Sequence, residues 1–150
     1  MSELRTESGD ELARRAAAAM EGRDRAARSL GVEVLEVREG YARCALTVGE
    51  PMLNGHDIAH GGYVFGLADT AFAYACNSRN HVNVALNASI SFVAPGRAGE
   101  RLVAVCQERA ASKRTGIYDV VVEGPEGRTI ALFRGTSYRL EAQVIRERDA

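Results

Sequence analysis

The residue of this sequence best suited to chemistry is Asp69, because it lies within an apolar stretch. At about 100° per residue along a helix, Gly62, Phe65, Asp69, Phe72 and Cys76 share one narrow face. A carboxylate is seldom left on such a face without a partner or a function. Two interpretations stay open: a structural aspartate bonded to a neighbouring loop, or a catalytic carboxylate in a dry cleft.

The segment from Asn54 to Gly62, NGHDIAHGG, ends where this helix is predicted to begin. The first N–H groups of a helix lack intrahelical partners and carry partial positive charge, and glycines there let a carbonyl group approach closely. The Gly61 N–H is therefore a candidate oxyanion donor, and the Asn54 side-chain amide is a second. The alternative is a glycine-rich loop that only closes the helix N-terminus.

Helix geometry limits how these groups can cooperate. Gly61 and Asp69 are eight residues apart. That spacing is about 12 Å along a helix axis, whereas both groups must come within about 3 Å of one reacting group. Two antiparallel copies related by a twofold axis meet this condition, with Gly61 of one facing Asp69 of the other. The spacing thus predicts an obligate homodimer with two composite sites.

The histidines are weaker candidates. His60 adjoins the glycine pair, where it could either orient a substrate or cap the helix. His56 and His81 are interpreted as loop residues, and no HxxxH or HExxH spacing indicates a metal site. No GxSxG motif indicates a serine nucleophile either.

A basic turn precedes Gly116. Lys113, Arg114 and Thr115 could grip a phosphate, because basic groups and backbone donors in turns suit anions. Solvated turn charges are the other interpretation.

The elements that must position these residues follow from periodicity and turn formers. An N-terminal helix over Asp10–Leu30, with Ser8 or Asp10 as cap, precedes two short strands and a loop over Gly49–His60. The central helix over Gly61–Ser78 is apolar on all sides, which predicts burial on more than one face. The six predicted strands cover residues 32–37, 41–48, 84–94, 101–111, 117–123 and 128–140. An antiparallel sheet wrapped around one long helix, an α+β fold, is expected.

Composition excludes several classes. The chain has 150 residues, which predicts a single domain over 1–150 with frayed ends at 1–9 and 141–150. A net charge of -1 argues against nucleic-acid binding, and no apolar run approaches the ~20 residues of a membrane span. The polar N-terminus is not expected to be a signal peptide. Cys44, Cys76 and Cys106 are too dispersed for a disulfide framework or zinc knuckle and are expected to be buried thiols in the cytoplasm.

The segment from Asn54 to Phe72, NGHDIAHGGYVFGLADTAF, resembles the hotdog-fold acyl-CoA thioesterases, and most of all those of the phenylacetic acid degradation pathway. The likeness continues through AYACNS at 73–78, Pro95-Gly96, TGIYD at 115–119 and ALFRG at 131–135. It covers roughly residues 40 to 140.

This resemblance implies a hotdog dimer, commonly paired into tetramers, that hydrolyses acyl-CoA thioesters. It implies that Asp69 acts as base or nucleophile and that the Gly61 N–H polarises the thioester carbonyl. Asn54 would position the carbonyl or the water, and His60 would support the site. No metal or cofactor is expected, since coenzyme A is part of the substrate.

The resemblance also leaves parts of the site open. Some relatives hold the water with a hydroxyl one turn after the carboxylate, where this chain has Ala73, and others use a strand serine that Asn87 or Ser89 could match. Further substrate contacts are expected at Gly62, at the acyl-pocket walls Leu53, Tyr63, Val64 and Phe65, and at Lys113, Arg114, Thr115 and Arg139 for the nucleotide end.

The expected substrate is an aryl-acetyl-CoA or a related ring-derived acyl-CoA. Two alternatives remain: a non-catalytic acyl-CoA sensor on the same fold, and a hydratase or dehydratase. The exact acyl group, and the choice between carboxylate attack and water activation, stay open at this stage.

Overall fold

The computed structural model describes residues 5–149. Residues 1–4, on which the expectation about a signal peptide depends, and residue 150 lie outside this range. The helices are α1 (Gly9–Glu21), α2 (Arg25–Leu30) and α3 (Gly61–Cys76). The strands are β1 (Glu33–Arg38), β2 (Tyr41–Thr47), β3 (His81–Phe92), β4 (Arg101–Ala111), β5 (Thr115–Glu123) and β6 (Thr129–Gln143).

One antiparallel sheet forms the frame of the molecule. Its six strands lie in the order β1-β2-β4-β5-β6-β3, and α3 contacts all six of them. The sheet therefore wraps around the helix as predicted, and the α+β architecture is confirmed. None of the described helices is long and apolar enough to cross a membrane.

The core lies between α3 and the concave face of the sheet. Leu67, Phe72 and Tyr74 of α3 are buried there, and the Phe72 ring meets the Tyr118 ring edge-on at a centroid distance of 5.6 Å. A Cβ atom on Gly135 would lie 2.8 Å from the Phe72 ring. A residue larger than glycine at this point of β6 would therefore displace the Phe72 ring.

The N-terminal region differs from the single helix that was expected. Ser8 caps α1, but the chain turns after Glu21, and the Asp24 side chain accepts the Ala27 N–H at 3.0 Å to begin α2. A capping aspartate starts a new helix because its carboxylate satisfies a free N–H group. Asp24 also accepts the Tyr74 hydroxyl at 3.1 Å, which ties α2 to α3.

The C-terminal tail is also more ordered than expected. Strand β6 continues to Gln143, and Val144 is buried. The Ile145 N–H donates to the Asn80 side chain at 2.8 Å, and Asp149 pairs with Arg23 at 2.6 Å. Side chains from distant segments therefore contact the tail over 141–149, where fraying was expected. At the other end, Ser8 and Gly9 belong to the start of α1.

The loops contain small differences from the predictions. The segment over Gly49–His60 includes a 3-10 turn at Glu50–Met52 and an isolated bridge between Leu53 and Ala59. The turn between β4 and β5 is shorter than expected. The three cysteines are buried thiols, as predicted.

Strand β3 lies at an edge of the sheet, where β6 is its one neighbour among the described strands. It begins three residues earlier and ends two residues earlier than predicted. Its large apolar side chains Val84, Leu86 and Phe92 are exposed. A long edge strand with exposed apolar side chains is a surface on which another chain can pair.

Candidate active site

The loop before α3 is held by Asn54. The Asn54 N–H donates to the Ile58 carbonyl at 2.8 Å, and its side-chain Oδ1 accepts the N–H groups of His56 at 2.9 Å and Ile58 at 3.4 Å. Asp57 has a positive φ of 58°, which the tight turn requires. Within residues 5–149 the side-chain Nδ2 of Asn54 donates to no protein atom, so this amide keeps both donors for a ligand.

His60 is the N-cap of α3. Its Nδ1 accepts the Gly62 N–H at 2.9 Å, and its own N–H donates to the Met52 carbonyl at 2.8 Å. Of the two roles left open by the sequence, the structure supports helix capping. A role of His60 in supporting the substrate stays a prediction.

The Gly61 N–H takes no part in these contacts. No described residue accepts a hydrogen bond from it, although the neighbouring N–H groups of His60, Gly62 and Tyr63 are all bonded. The first N–H groups of a helix carry partial positive charge, so this one is suited to a developing oxyanion.

Gly61 and Asn54 open onto one pocket of about 510 Å³. Apart from these two donors its side chains are mainly apolar. Its lining comprises Asn54, Ile58, Ala59, Gly61, Val64, Phe92, Val93, Ala94, Pro95, Gly96 and Ile130. A pocket with a few convergent polar groups and otherwise apolar walls is typical of a ligand site.

Asp69 is half-buried on the same helix but does not line this pocket. Burial raises the pKa of its carboxyl group above the ordinary value of 3.8. No hydrogen bond or ion pair reaches this carboxylate within residues 5–149. The interpretation as a structural aspartate bonded to a loop therefore has no support in this part of the chain.

The predicted acyl-pocket walls are only partly brought together. Val64 lines the pocket, whereas Leu53, Tyr63 and Phe65 pack against the hydrophobic core and do not. The Phe65 ring meets the Phe133 ring at 5.4 Å. Tyr63 and Phe65 lie on different faces of α3 and Leu53 lies in the preceding loop, yet all three contact the core. Gly62 is exposed, with its N–H bonded to the cap.

Sequence reasoning missed the walls that come from the end of β3. Phe92 and Val93 precede Pro95-Gly96 and line the pocket, joined by Ile58 from the loop. An apolar residue at the end of an edge strand, next to a turn, was the available signal. This signal points to the pocket only when the strand order, which places the end of β3 beside α3, is known.

The predicted nucleotide contacts come together elsewhere. Lys113, Arg114, Thr115 and Arg139 line a pocket of about 230 Å³, and all of them except Thr115 also line an adjoining one of about 400 Å³. The smaller pocket includes Cys76, the last residue of α3, so it lies at the opposite end of this helix from Gly61.

The charges of this basic group are largely uncompensated. Among the described residues no carboxylate pairs with Lys113 or Arg139, and Arg114 is 3.9 Å from the exposed Glu141. The same electrostatic environment acts on His81, where burial, Arg139 and Arg79 lower the pKa.

The side chains of β3 do not show which residue would hold the catalytic water. Ala88 and Ile90 pack against the core, which places Ser89 on the other face of the strand, where it lines a groove with Asp119 and Arg134. Ser89 therefore does not face the helix of its own chain. Asn87 is exposed on the same strand.

Comparison with known proteins decides the family. The model of the thioesterase superfamily matches residues 56–131. The acyl-coenzyme A thioesterase PaaI of Escherichia coli strain K12 is 45% identical over 129 residues, covering 86% of this chain and 92% of the relative. The chain belongs to the thioesterase superfamily. The resemblance read from residues 54–72 and the predicted enzyme class are thereby confirmed.

Solved structures of superfamily members agree. The structure of the E. coli PaaI protein from the phenylacetic acid degradation operon superposes with a TM-score of 0.89 at 44% identity, covering 91% of this chain and 99% of that one. A hypothetical thioesterase of Streptococcus pneumoniae TIGR4, solved with coenzyme A, gives a TM-score of 0.70 at 26% identity, covering 75% and 90%. The predicted hotdog fold is confirmed.

Proposed function

We propose that this thioesterase hydrolyses phenylacetyl-CoA, a hydroxylated phenylacetyl-CoA or a related ring-derived acyl-CoA to the free acid and coenzyme A. The observation that carries the proposal is the pair of unpartnered donors, the Gly61 N–H and the Asn54 amide, at an otherwise apolar pocket of about 510 Å³. Similarity to PaaI, an acyl-coenzyme A thioesterase, supports the substrate class.

The site is completed by a second copy of the chain. The pocket of one chain contains no carboxylate, and Asp69 lies about 12 Å further along α3 than Gly61. The exposed edge of β3, with Val84 and Leu86, offers a strand that can pair with a second copy. An antiparallel arrangement of two α3 helices brings Asp69 of the second copy to Gly61. The proposed assembly is this homodimer, paired further into a tetramer.

In the proposed reaction the thioester carbonyl oxygen accepts hydrogen bonds from the Gly61 N–H and the Asn54 amide. These bonds strengthen as the oxygen becomes negative, and one such donor contributes about 10²–10³ in rate. Asp69 of the second copy either removes a proton from the water that attacks the carbonyl carbon, or attacks that carbon itself to form a mixed anhydride, which water then hydrolyses to the free acid and the aspartate. Burial raises its pKa and makes it a stronger base than an ordinary carboxylate.

The coenzyme A portion leaves as a thiolate, which is stable enough to need no strong general acid. Lys113, Arg114, Thr115 and Arg139 would bind its phosphates. In the antiparallel dimer the C-terminal end of one α3 lies on the same side as Gly61 of the other copy, so the basic pocket is placed beyond the reacting group. No step requires a metal or cofactor, and a cytoplasmic location is part of the proposal.

A thiol-release assay tests this function. Phenylacetyl, hydroxyphenylacetyl, benzoyl and straight-chain CoA esters are compared at equal concentration, and the ring-derived esters with a CH₂ group next to the carbonyl should have the highest kcat/KM. A non-catalytic sensor would bind these esters without releasing thiol, and a hydratase would change the absorbance of an enoyl thioester instead. Either result would overturn the proposal.

A further inference from the structure

Phe92 has an unusual position for a large apolar residue. It ends β3 with 57% of its surface exposed, yet its ring is aimed at the start of α3. A Cβ atom on Gly61 would lie 2.9 Å from the ring Cζ and within 3.5 Å of both Cε atoms. The tip of the ring therefore occupies the space beside the Gly61 backbone. Phe92 and Gly61 also line the same pocket as Asn54.

The backbone around Phe92 is fixed relative to Gly61. The residue pairs with Ala131 in the sheet, and the next two N–H groups, of Val93 and Ala94, both donate to the Ile130 carbonyl at 2.8 and 3.2 Å. On the other side, the Ala59 N–H donates to the Gly96 carbonyl at 2.8 Å. The loop that leads into α3 is thus bonded to the segment that follows β3, so the ring can move only by rotation of its own side chain.

This position affects one part of the substrate. Because Gly61 and Phe92 line the same pocket, an acyl group whose carbonyl oxygen binds the Gly61 N–H enters the space that the Phe92 ring borders. A slender CH₂ group fits beside the ring. A branch or an aromatic ring joined directly to the carbonyl would overlap with it.

We infer that Phe92 is a specificity-determining residue that selects acyl groups with an unbranched CH₂ next to the thioester carbonyl. It accepts arylacetyl groups and rejects aroyl and branched groups. The inference rests on the proposed function and deepens it, because it names which ring-derived esters the pocket accepts. It assigns a role to a residue that neither the sequence motifs nor the oxyanion geometry includes.

The test compares two pairs of substrates in the wild-type enzyme, Phe92→Ala and Phe92→Leu. The pairs are phenylacetyl-CoA against benzoyl-CoA and butyryl-CoA against isobutyryl-CoA, the second pair being free of aromatic effects. In Phe92→Ala both kcat/KM ratios should fall by about tenfold, the range expected when a few methylene-sized groups are removed from a pocket wall. Phe92→Leu, with a smaller change in volume, should show a smaller fall of both ratios.

Leu132→Ala is the matched control. Leu132 is a similarly exposed apolar residue, 48% accessible, on the neighbouring strand β6, and it does not line the pocket. Its ratios should equal those of the wild type. Size-exclusion chromatography and thermal unfolding of every variant show whether the assembly and the fold are kept.

Two results would overturn the inference. If kcat/KM falls by the same factor for all four esters, Phe92 contributes to the assembly or to general packing and not to selectivity. If both ratios stay within about twofold of the wild type, its ring does not limit the acyl group. The wild-type rate on phenylacetyl-CoA distinguishes failure of this inference from failure of the proposed function. If the wild type releases thiol but the kcat/KM ratios do not change in the variants, the proposed function stands and the inference about Phe92 fails.

Discussion

The two ends of α3 use their polar groups in opposite ways. At the C-terminal end, Asn77 donates to the Ala73 carbonyl at 2.8 Å and accepts the Asn83 N–H at 2.8 Å, and Ser78 bridges the Ala75 carbonyl and the Gly40 N–H. At the N-terminal end, the Gly61 N–H and the Asn54 amide have no partner within the described residues. Polar groups inside a protein are normally bonded, so the donors that are left over support the proposal that this end binds the substrate.

The same contrast separates Glu108, a structural carboxylate, from Asp69, the proposed catalytic one. Glu108 accepts two hydrogen bonds from Arg79, at 2.6 and 3.0 Å, and one from the Tyr118 hydroxyl at 2.8 Å, and the bonds from Arg79 are the main cause of its lowered pKa. Asp69 has no such partner among residues 5–149, and burial raises its pKa. A partnered carboxylate is held as an ion, whereas an unpartnered one is ready to take a proton.

The largest effect should come from Asp69→Asn. Removing the base or nucleophile should lower kcat by about 10²–10⁴ while the assembly is kept. The thiol-release assay measures the rate, and size-exclusion chromatography checks the oligomer. Asp119→Asn is the control, because Asp119 is an ion-paired carboxylate on the outer face of the sheet and its loss should leave the rate unchanged. Substantial turnover by Asp69→Asn would refute the role of this residue.

Next in size is Asn54→Asp. The aspartate keeps an oxygen to accept the His56 and Ile58 N–H groups but has no amide to donate to the substrate. We expect kcat to fall by about 10²-fold with little change in thermal stability, since a carboxylate near a helix N-terminus is favourable. A rate like that of the wild type would mean that Gly61 alone stabilises the oxyanion.

Asn77→Ala tests the C-terminal end of α3, where the polar side chain is bonded within the chain. It removes partners from the Ala73 carbonyl and the Asn83 N–H, so the free energy of unfolding should fall by about 1–3 kcal/mol. The kcat of the folded enzyme should stay the same. Denaturant unfolding at fixed protein concentration measures the free energy of unfolding. If this variant instead lost turnover without losing stability, the division between the two ends would be wrong.

A smaller effect is expected from the double variant Lys113→Ala/Arg139→Ala. Loss of two phosphate contacts should raise KM for acyl-CoA esters by about two- to fivefold, less at high salt, with kcat unchanged. Arg14→Ala/Arg25→Ala removes the same charge from exposed helical positions and should leave KM unaltered. Equal KM changes in both double variants would show a general charge effect.

The smallest effect concerns stability and pH. Because burial raises the Asp69 pKa, its contribution to stability is greatest below the ordinary value of 3.8 and is lost as the pH rises through the raised pKa. Asp69→Asn should therefore be more stable than the wild type at neutral pH, and the difference should vanish in acid. Unfolding of both proteins at two pH values measures it. A variant less stable than the wild type at pH 7 would mean that Asp69 is bonded within the assembly.

The sequence was sufficient for the fold and for the donors, but not for the walls of the pocket. Periodicity located α3 and the strands, and helix-terminus physics identified Gly61. The break between α1 and α2 was not predicted. A capping aspartate such as Asp24 begins a new helix only where the preceding chain can turn. Phe92 was missed because the strand order brings it next to α3, and no local sequence pattern encodes the strand order. Leu53, Tyr63 and Phe65 lie outside the pocket of the single chain, and their role as acyl-pocket walls in the composite site stays a prediction.

The hydrogen bond from the Ala59 N–H to the Gly96 carbonyl has an evolutionary consequence. It fastens the rim of the pocket to the loop that leads to Gly61, the proposed oxyanion donor, so an insertion in either loop would displace this donor along with the rim. New substrate preferences in this lineage should therefore arise by exchanging side chains at positions such as Ile58, Phe92, Val93 and Ile130, with the length of both loops preserved.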